Sequence, residues 1–296
     1  MDFASLNLWN PVAGLGPGIA LLTAFFLGLI HGITPDEHTW PITFSYSVGA
    51  YSTRGGMRVG LLFSLAFTVQ RAIASELAYF AVTWLIVSER WNFALYVVVG
   101  ALMLMSGWYV LRRHRLLHLF HSHNLDRSEE PRALPGYMPL VHGFVAGWGT
   151  GAFALIVYTV LAPAMPSAAV GFLPGMLYGL GTMAMQILLG ALVGAWMARR
   201  QLADAVRTRV ARMVAGRTLF WGGLAFIALG ILGFVYPDLG GMGVDTGVRV
   251  HNLSRIDVAF LLAVLVPLGA GSYAMIRSLR EVRTSRHGHP TRAAPP

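Results

Sequence analysis

The chain has no cysteine and no lysine, and only 12% of its 296 residues are charged. Without cysteine there can be no disulfide framework, no thiolate metal site and no thiol-based electron transfer across a membrane. Without lysine there can be no retinal Schiff base, so the chain is not a retinal protein. Hydrophobic residues make up 55% of the chain, which is typical of a membrane protein rather than a soluble domain.

Long apolar stretches are the main structural signal. A transmembrane helix needs roughly 20 apolar residues. The stretches that are long enough are 15–33, 59–87, 93–111, 138–162, 168–197, 218–236 and 257–276. The sequence therefore predicts an all-α, polytopic transmembrane helix bundle of about seven spans. No basic segment precedes the first span, so we expect that span to be retained rather than cleaved as a signal peptide.

Arginine is distributed unevenly among the predicted loops. If the N-terminus is outside, 18 arginines fall on the inner side and only three on the outer side. Cytoplasmic loops of membrane proteins carry such an excess. We therefore expect a multi-pass protein of a prokaryotic plasma membrane, with an outer N-terminus and a cytoplasmic C-terminus. Its basic character is expected to serve contact with the lipid bilayer and not with nucleic acid.

Two segments of the chain are alike. Leu29-Ile-His-Gly32 is matched 111 residues later by Leu140-Val-His-Gly143, and the same shift brings the second span onto the fifth. Three spans per half give the two copies opposite orientations, which is an architecture of transporters. We expect two inverted three-helix repeats, at 1–111 and 138–236, plus a C-terminal helix.

The remaining segments are polar. We expect a basic, histidine-rich cytoplasmic loop at 112–137, an exterior loop with the terminal helix at 237–280, and a disordered tail at 281–296. The central loop carries His114, His118, His121 and His123. Such a tract is either a weak metal-binding site on the cytoplasmic side or an ordinary soluble loop, and the sequence does not decide between these two interpretations.

The most informative cluster lies where the first span ends. His31, Asp36, Glu37 and His38 place two imidazoles and two carboxylates within eight residues, at or inside the membrane. Ionisable groups are costly there and indicate a functional site. Imidazole and carboxylate together suit a divalent transition metal, and His142 in the second half would be a further ligand. The alternatives are a polar helix end capped by the two carboxylates and a hydrogen-bonded histidine in the bundle.

The first span is expected to break at this cluster. Pro35 and Pro41 each remove a backbone donor and disfavour helix at the preceding residue. The apolar stretch that follows, 40–51, is predicted to continue as a half-helix. Broken helices free carbonyl groups and helix ends to coordinate ions, but only where the backbone is buried or lines a cavity.

Three polar residues lie near the middle of the second span. They are Gln70, Arg71 and Glu76. Glu76 is a candidate for coupling proton movement, and Arg71 for holding a gate or neutralising Asp36. The alternative is a structural Arg–Glu pair that locks the bundle. Both interpretations remain open at this point.

The residues around the cluster resemble a known family. The run Leu27-Gly-Leu-Ile-His-Gly-Ile-Thr-Pro-Asp-Glu-His38, followed by Gly60-Leu-Leu-Phe-Ser-Leu65, is similar to the nickel/cobalt transporter superfamily, which includes urease-accessory-type membrane proteins. The resemblance covers about 25–80, with a fainter match at 138–198. It implies a polytopic divalent-metal transporter in which His31 and Asp36 occupy motif positions. His38 stands one residue later than the second histidine of the family.

These features together predict secondary transport of a divalent transition metal, most readily nickel or cobalt. The metal would be cargo, with no tightly bound cofactor and no enzymatic activity. Two alternatives stay open: a membrane accessory protein that does not transport, and a membrane metalloenzyme whose histidine boxes would come from the central loop. Protein partners cannot be read from the sequence.

Overall fold

The computed structural model describes residues 16–34, 39–50, 52–81, 89–112, 137–199, 204–238, 242–247, 255–258 and 261–287. These residues are mostly helical. The helices are α1 (Pro17–Ile33), α2 (Trp40–Ala50), α3 (Thr53–Tyr79), α4 (Glu89–Arg112), α5 (Met138–Ala146), α6 (Ala152–Ile156), α7 (Leu173–Ala198), α8 (Asp204–Val235) and α9 (Val266–His287).

Short irregular elements connect some of these helices. A π-helical turn, Val157–Leu161, follows α6, and a second one, Leu261–Leu265, precedes α9. A short 3-10 turn, Ala168–Val170, leads towards α7. The strands β1 (Gly243–Asp245) and β2 (Arg255–Asp257) pair as a small antiparallel ribbon between α8 and α9.

In the described part of the chain, four helices are long and apolar enough to cross a membrane. They span Thr53–Tyr79, Arg90–Arg112, Ala168–Ala198 and Arg212–Val235. One face of α3 shows why these helices suit lipid: Leu61, Leu65, Val69 and Ile73 recur every four residues, and each is more than 40% exposed. Such an apolar stripe would be unfavourable in water. The prediction of an all-α fold is confirmed, and the four apolar helices are compatible with a membrane protein.

The centre of the bundle is an antiparallel pair formed by α3 and α7. Gly56 of α3 lies against Gly190, and Gly60 lies against the carbonyl of Gln186. Farther along, Gly175 of α7 lies against the carbonyl of Arg71. A Cβ atom at any of these glycines would overlap the backbone of the facing helix. The two helix backbones are therefore in direct van der Waals contact. Small residues permit this approach in membrane bundles.

A second antiparallel pair, α4 and α8, packs in the same way. Gly107 lies against the backbone of Phe220, while the Trp108 ring stacks on the Phe220 ring at 6.4 Å. Helix α9 runs antiparallel to α8, with Gly271 against Thr218 and Pro267 against Gly222. This second group of helices flanks the central pair.

Arginine collects at one end of the bundle. An apolar cluster of Val48, Met197, Val214 and Met275 joins the ends of α2 and α7 to the first half of α8 and the middle of α9. Helix α3 begins at this end, since Ser52 lies against Gly194, and α4 ends there beside α8. The arginines that these helix ends carry are Arg54, Arg58, Arg112, Arg199, Arg212, Arg217, Arg277 and Arg280. We call this the arginine end.

Candidate functional site

The first span is broken in the middle of the bundle. Helix α1 runs parallel to α7, with Gly28 against the carbonyl of Tyr178 and Gly32 against Thr182. Because α7 extends from Leu173 to Ala198, α1 ends about midway along it, and α2 continues towards the arginine end. The break predicted from Pro35 and Pro41 is therefore present between Ile33 and Trp40.

The loop between α1 and α2 begins and ends in the protein interior. Thr34 is 6% exposed and Thr39 is fully buried. The Gln186 amide donates to the carbonyl of Gly32 at 3.3 Å and to the Thr39 hydroxyl at 3.1 Å, and the Trp40 indole N–H donates to the same Gly32 carbonyl at 3.2 Å. Gln186 thus bridges the two half-helices. Neutral hydrogen bonds of this kind hold irregular backbone at membrane depth.

Three predicted ligands, Asp36, Glu37 and His38, belong to this loop and lie outside the described residues. His31 is described, and it is 4% exposed. Its ring centre lies 5.9 Å from that of Phe67 of α3, with 17° between the ring planes, and 5.3 Å from that of Tyr178 of α7, with 29° between the planes. The Phe67 and Tyr178 ring centres are themselves 6.4 Å apart, so the three rings form one mutually packed cluster.

Arg71 approaches the same two rings. Its guanidinium carbon lies 4.6 Å from the ring centre of Phe67, 5.4 Å from that of Tyr178 and 5.9 Å from that of Tyr158. The guanidinium also donates a hydrogen bond of 2.7 Å to the Tyr158 hydroxyl. A cation over aromatic faces is stabilised by the ring quadrupoles, more so when it is buried. The side chain is 2% exposed, so we call this set of rings the Arg71 cage.

The second half of the chain also contains a break. Helix α5 runs parallel to α3, with Gly143 against the carbonyl of Phe63 and Gly147 against the Gln70 side chain. It ends at Ala146, and α6 with its π-helical turn begins at Ala152. That turn carries Tyr158, the acceptor for Arg71. Single π-helical turns inside helices occur frequently at functional sites.

Asn92 stabilises the second break. Its side-chain oxygen accepts from the Thr150 backbone N–H at 3.1 Å and from the Thr150 hydroxyl at 2.7 Å. Asn92→Ala should lower the free energy of unfolding by about 1–3 kcal/mol, because both donors lose their acceptor. Thermal unfolding in detergent measures this loss. The control is Thr159→Ala, whose exposed hydroxyl bonds only within its own helix; an equal loss in both variants would contradict the role of Asn92.

His142 is held in one tautomer by its surroundings. It is 1% exposed, and its Nδ1 lies 3.1 Å from the Met138 carbonyl and 3.1 Å from the Tyr46 hydroxyl. A carbonyl cannot donate, so Nδ1 carries the proton and Nε2 carries a lone pair. Nε2 has no hydrogen-bond partner among the described residues. This is the tautomer and anchoring seen in histidines that ligate metals.

The other two predicted polar residues occupy different environments. Gln70 is fully buried, and neither of its amide atoms has a hydrogen-bond partner in the described ranges. Glu76 is half-buried and lies beside Gly171, where Ser75 donates to the Gly171 carbonyl at 2.7 Å. An unsatisfied buried amide is costly, which marks Gln70 as a place that a water or ion can occupy.

The described residues bring His31 and Arg71 to the same pair of rings and give His142 a separate environment. Within these ranges there is no group of three or more histidine or acidic side chains that could hold a metal. Comparisons with models of protein families, with curated proteins and with solved structures find no match to this chain. Function must therefore be inferred from the residues themselves.

Sequence reasoning missed the rings of the Arg71 cage. Phe67, Tyr158 and Tyr178 come from three elements and carry no spacing signal in the sequence. The available signal was Arg71 itself, because a buried arginine in a membrane span needs neighbours that stabilise its charge. Those neighbours could be named only from the fold.

Proposed function

We propose that this protein is a secondary transporter of a divalent transition-metal cation, nickel or cobalt in the first instance. His31, Asp36, Glu37 and His38 bind the ion, and His142 supplies a further imidazole from the other half. The observation that carries the proposal is the broken first span. Its loop, with two carboxylates and His38, starts and ends inside the bundle next to the stacked His31.

The sequence between the two half-helices supports a transported ion. Asp36 and Glu37 lie in sequence between the buried residues Thr34 and Thr39. Carboxylates inside a membrane bundle are stable only when they are paired or bind a cation. A ligand set of imidazole and carboxylate holds nickel or cobalt less tightly than thiolates would, so the ion can leave again. No nucleotide-binding motif is present in the sequence, so an ion gradient is the natural energy source, with Glu76 as the candidate proton carrier and Gln70 and Arg71 as gating residues.

Repeated contacts support an inverted-repeat architecture. Three close contacts in one half have counterparts in the other half at a shift of 115 residues. The matched pairs are Gly28–Tyr178 with Gly143–Phe63, Gly32–Met185 with Gly147–Gln70, and Gly60–Gln186 with Gly175–Arg71. Helix α1 is parallel to α7, α5 is parallel to α3, and α3 is antiparallel to α7. The two broken spans therefore run in opposite directions, as in transporters that bind substrate at the repeat interface.

The shift of 115 differs from the 111-residue match of the two Leu-x-His-Gly segments by one helical turn. In the packing, His142 corresponds to Leu27 and not to His31. On this proposal the two imidazoles lie at different depths along the ion path. The ion would meet them in sequence instead of being clamped by both at once.

We propose seven spans on the same basis. The pairs α1–α2 and α5–α6 each count as one broken span, and α3, α4, α7, α8 and α9 complete the set. The arginine end is assigned to the cytoplasm because basic residues are retained on that side. This gives an outer N-terminus and a cytoplasmic C-terminus in a prokaryotic plasma membrane.

Metal accumulation in cells tests the proposal. Cells that express the wild type, His38→Ala or the control His287→Ala are challenged in turn with nickel, cobalt, zinc, manganese and iron, and cell metal is measured by elemental analysis. We expect one metal to change with the wild type and the control and to return to the vector level with His38→Ala. The sign of the change gives the direction. No change for any metal, with the protein folded in the membrane, would leave a non-transporting accessory role.

A further inference from the structure

The Arg71 cage places a fixed positive charge close to the proposed ion site. Phe67 and Tyr178 each contact both His31 and Arg71. Through Phe67, the guanidinium is at most about 11 Å from the imidazole, a distance over which charges in a protein interior interact appreciably. A divalent ion bound at His31 would therefore lie close to the same two rings as the Arg71 guanidinium.

Arg71 also occupies a special position in the repeat. At the shift of 115 residues it corresponds to Gln186. Gln186 bridges the first break with neutral hydrogen bonds to Gly32 and Thr39. Arg71 donates a charged hydrogen bond to Tyr158, which follows the second break. The equivalent positions of α3 and α7 thus place a cation beside the second break and a neutral amide at the first.

We propose that Arg71 is a tethered cation: at the second break it takes the place that the transported ion takes at the first, and it weakens the binding of that ion so that the ion can be released. The inference rests on the proposed metal transport and assigns Arg71 a specific part in it. The guanidinium and an ion bound at His31 are two positive charges beside the same two rings, so they repel each other. Arg71 thereby prevents a second ion from binding at the second break. It also keeps the site at the first break from binding its ion too tightly to release it.

Cobalt binding and cobalt transport test this inference together. The purified full chain is titrated with Co²⁺ by calorimetry, and the same preparation is reconstituted into vesicles for uptake. Arg71→Gln copies the neutral residue at the equivalent position of α7. We expect it to bind Co²⁺ at least about tenfold more tightly than wild type, because the repulsion between the charges is gone. Its maximal uptake rate should fall, because release becomes slower.

The matched control is Arg71→Lys, which keeps the charge. We expect its cobalt affinity to stay within about twofold of the wild type at a pH at which the lysine is protonated, because the positive charge is then retained. Thermal unfolding checks that each variant is folded; if Arg71→Gln is not, Arg71→Met replaces it, since an unbranched apolar chain fills the same rings. A purely structural role would lower uptake without tightening binding.

Two results would contradict the inference. If the wild type binds Co²⁺ and folded Arg71→Gln or Arg71→Met binds it no more tightly, Arg71 is not a competing cation, although the transport proposal stands. If Arg71→Lys tightens binding as much as Arg71→Gln at a pH at which the lysine is protonated, the charge is not the cause. If even the wild type binds and moves none of the ion, the transport proposal fails and this inference fails with it.

Discussion

Replacing His31 with phenylalanine should reduce nickel or cobalt transport by about 100-fold or more. A metal site with four ligands owes several kcal/mol to each of them, and the imidazole nitrogen is lost in this variant. The phenylalanine ring should still pack against both Phe67 and Tyr178, so the packing around α1 is kept. Initial uptake rates in cells or vesicles, normalised to protein in the membrane, measure the effect.

The control for this experiment is His287→Phe, at the end of α9 and far in sequence from the proposed site. We expect it to transport like the wild type. Thermal unfolding of His31→Phe should lie within a few degrees of the wild type. Full transport activity in a folded His31→Phe protein would remove His31 from the proposed ligand set and leave the stacked imidazole as a packing residue.

Replacing Gly60 with valine should strongly destabilise the bundle. A Cβ at this position would overlap the backbone carbonyl of Gln186, and backbone cannot rotate away as a side chain can. Overpacking costs typically 1–3 kcal/mol, and we expect at least about 3 kcal/mol here because α3 and α7 must separate along their whole contact. Unfolding in detergent should show a lower midpoint and a fraction that no longer assembles.

Gly269 provides the matched control for Gly60. It lies in α9, and a Cβ there would have no heavy atom within 4 Å. Gly269→Ala should be neutral or stabilise the protein by up to about 1 kcal/mol, because alanine favours helix over glycine. If Gly60→Val unfolds at the same temperature as the wild type, the close α3–α7 contact does not exist in the folded protein.

Local chemistry made some features predictable. The break after Ile33 follows from Pro35 and Pro41, because proline disrupts helix whatever surrounds it. The helical, membrane-embedded character follows from runs of apolar residues. In both cases the physical cause is contained within one segment of the chain, so the sequence of that segment is enough.

Features that depend on packing between distant segments were not predictable. The Arg71 cage joins α3, α7 and the π-helical turn, which are separated by up to about 110 residues. The contact between His142 and the Tyr46 hydroxyl joins residues 96 positions apart. A match of four residues predicted the inverted repeat that we propose. The glycine–carbonyl contacts that support this proposal are related by a shift one helical turn longer than the shift of the sequence match.

Uptake of metal by vesicles that contain only the purified protein tests the central claim most directly. A metal-sensitive dye is enclosed in the vesicles, and nickel, cobalt, zinc, manganese and iron are added outside in turn, with and without a proton gradient. We expect saturable entry of nickel or cobalt well above that into protein-free vesicles, and its loss with His31→Phe. Entry no faster than in protein-free vesicles for all five metals, with folded protein in both orientations, would contradict metal transport by this chain.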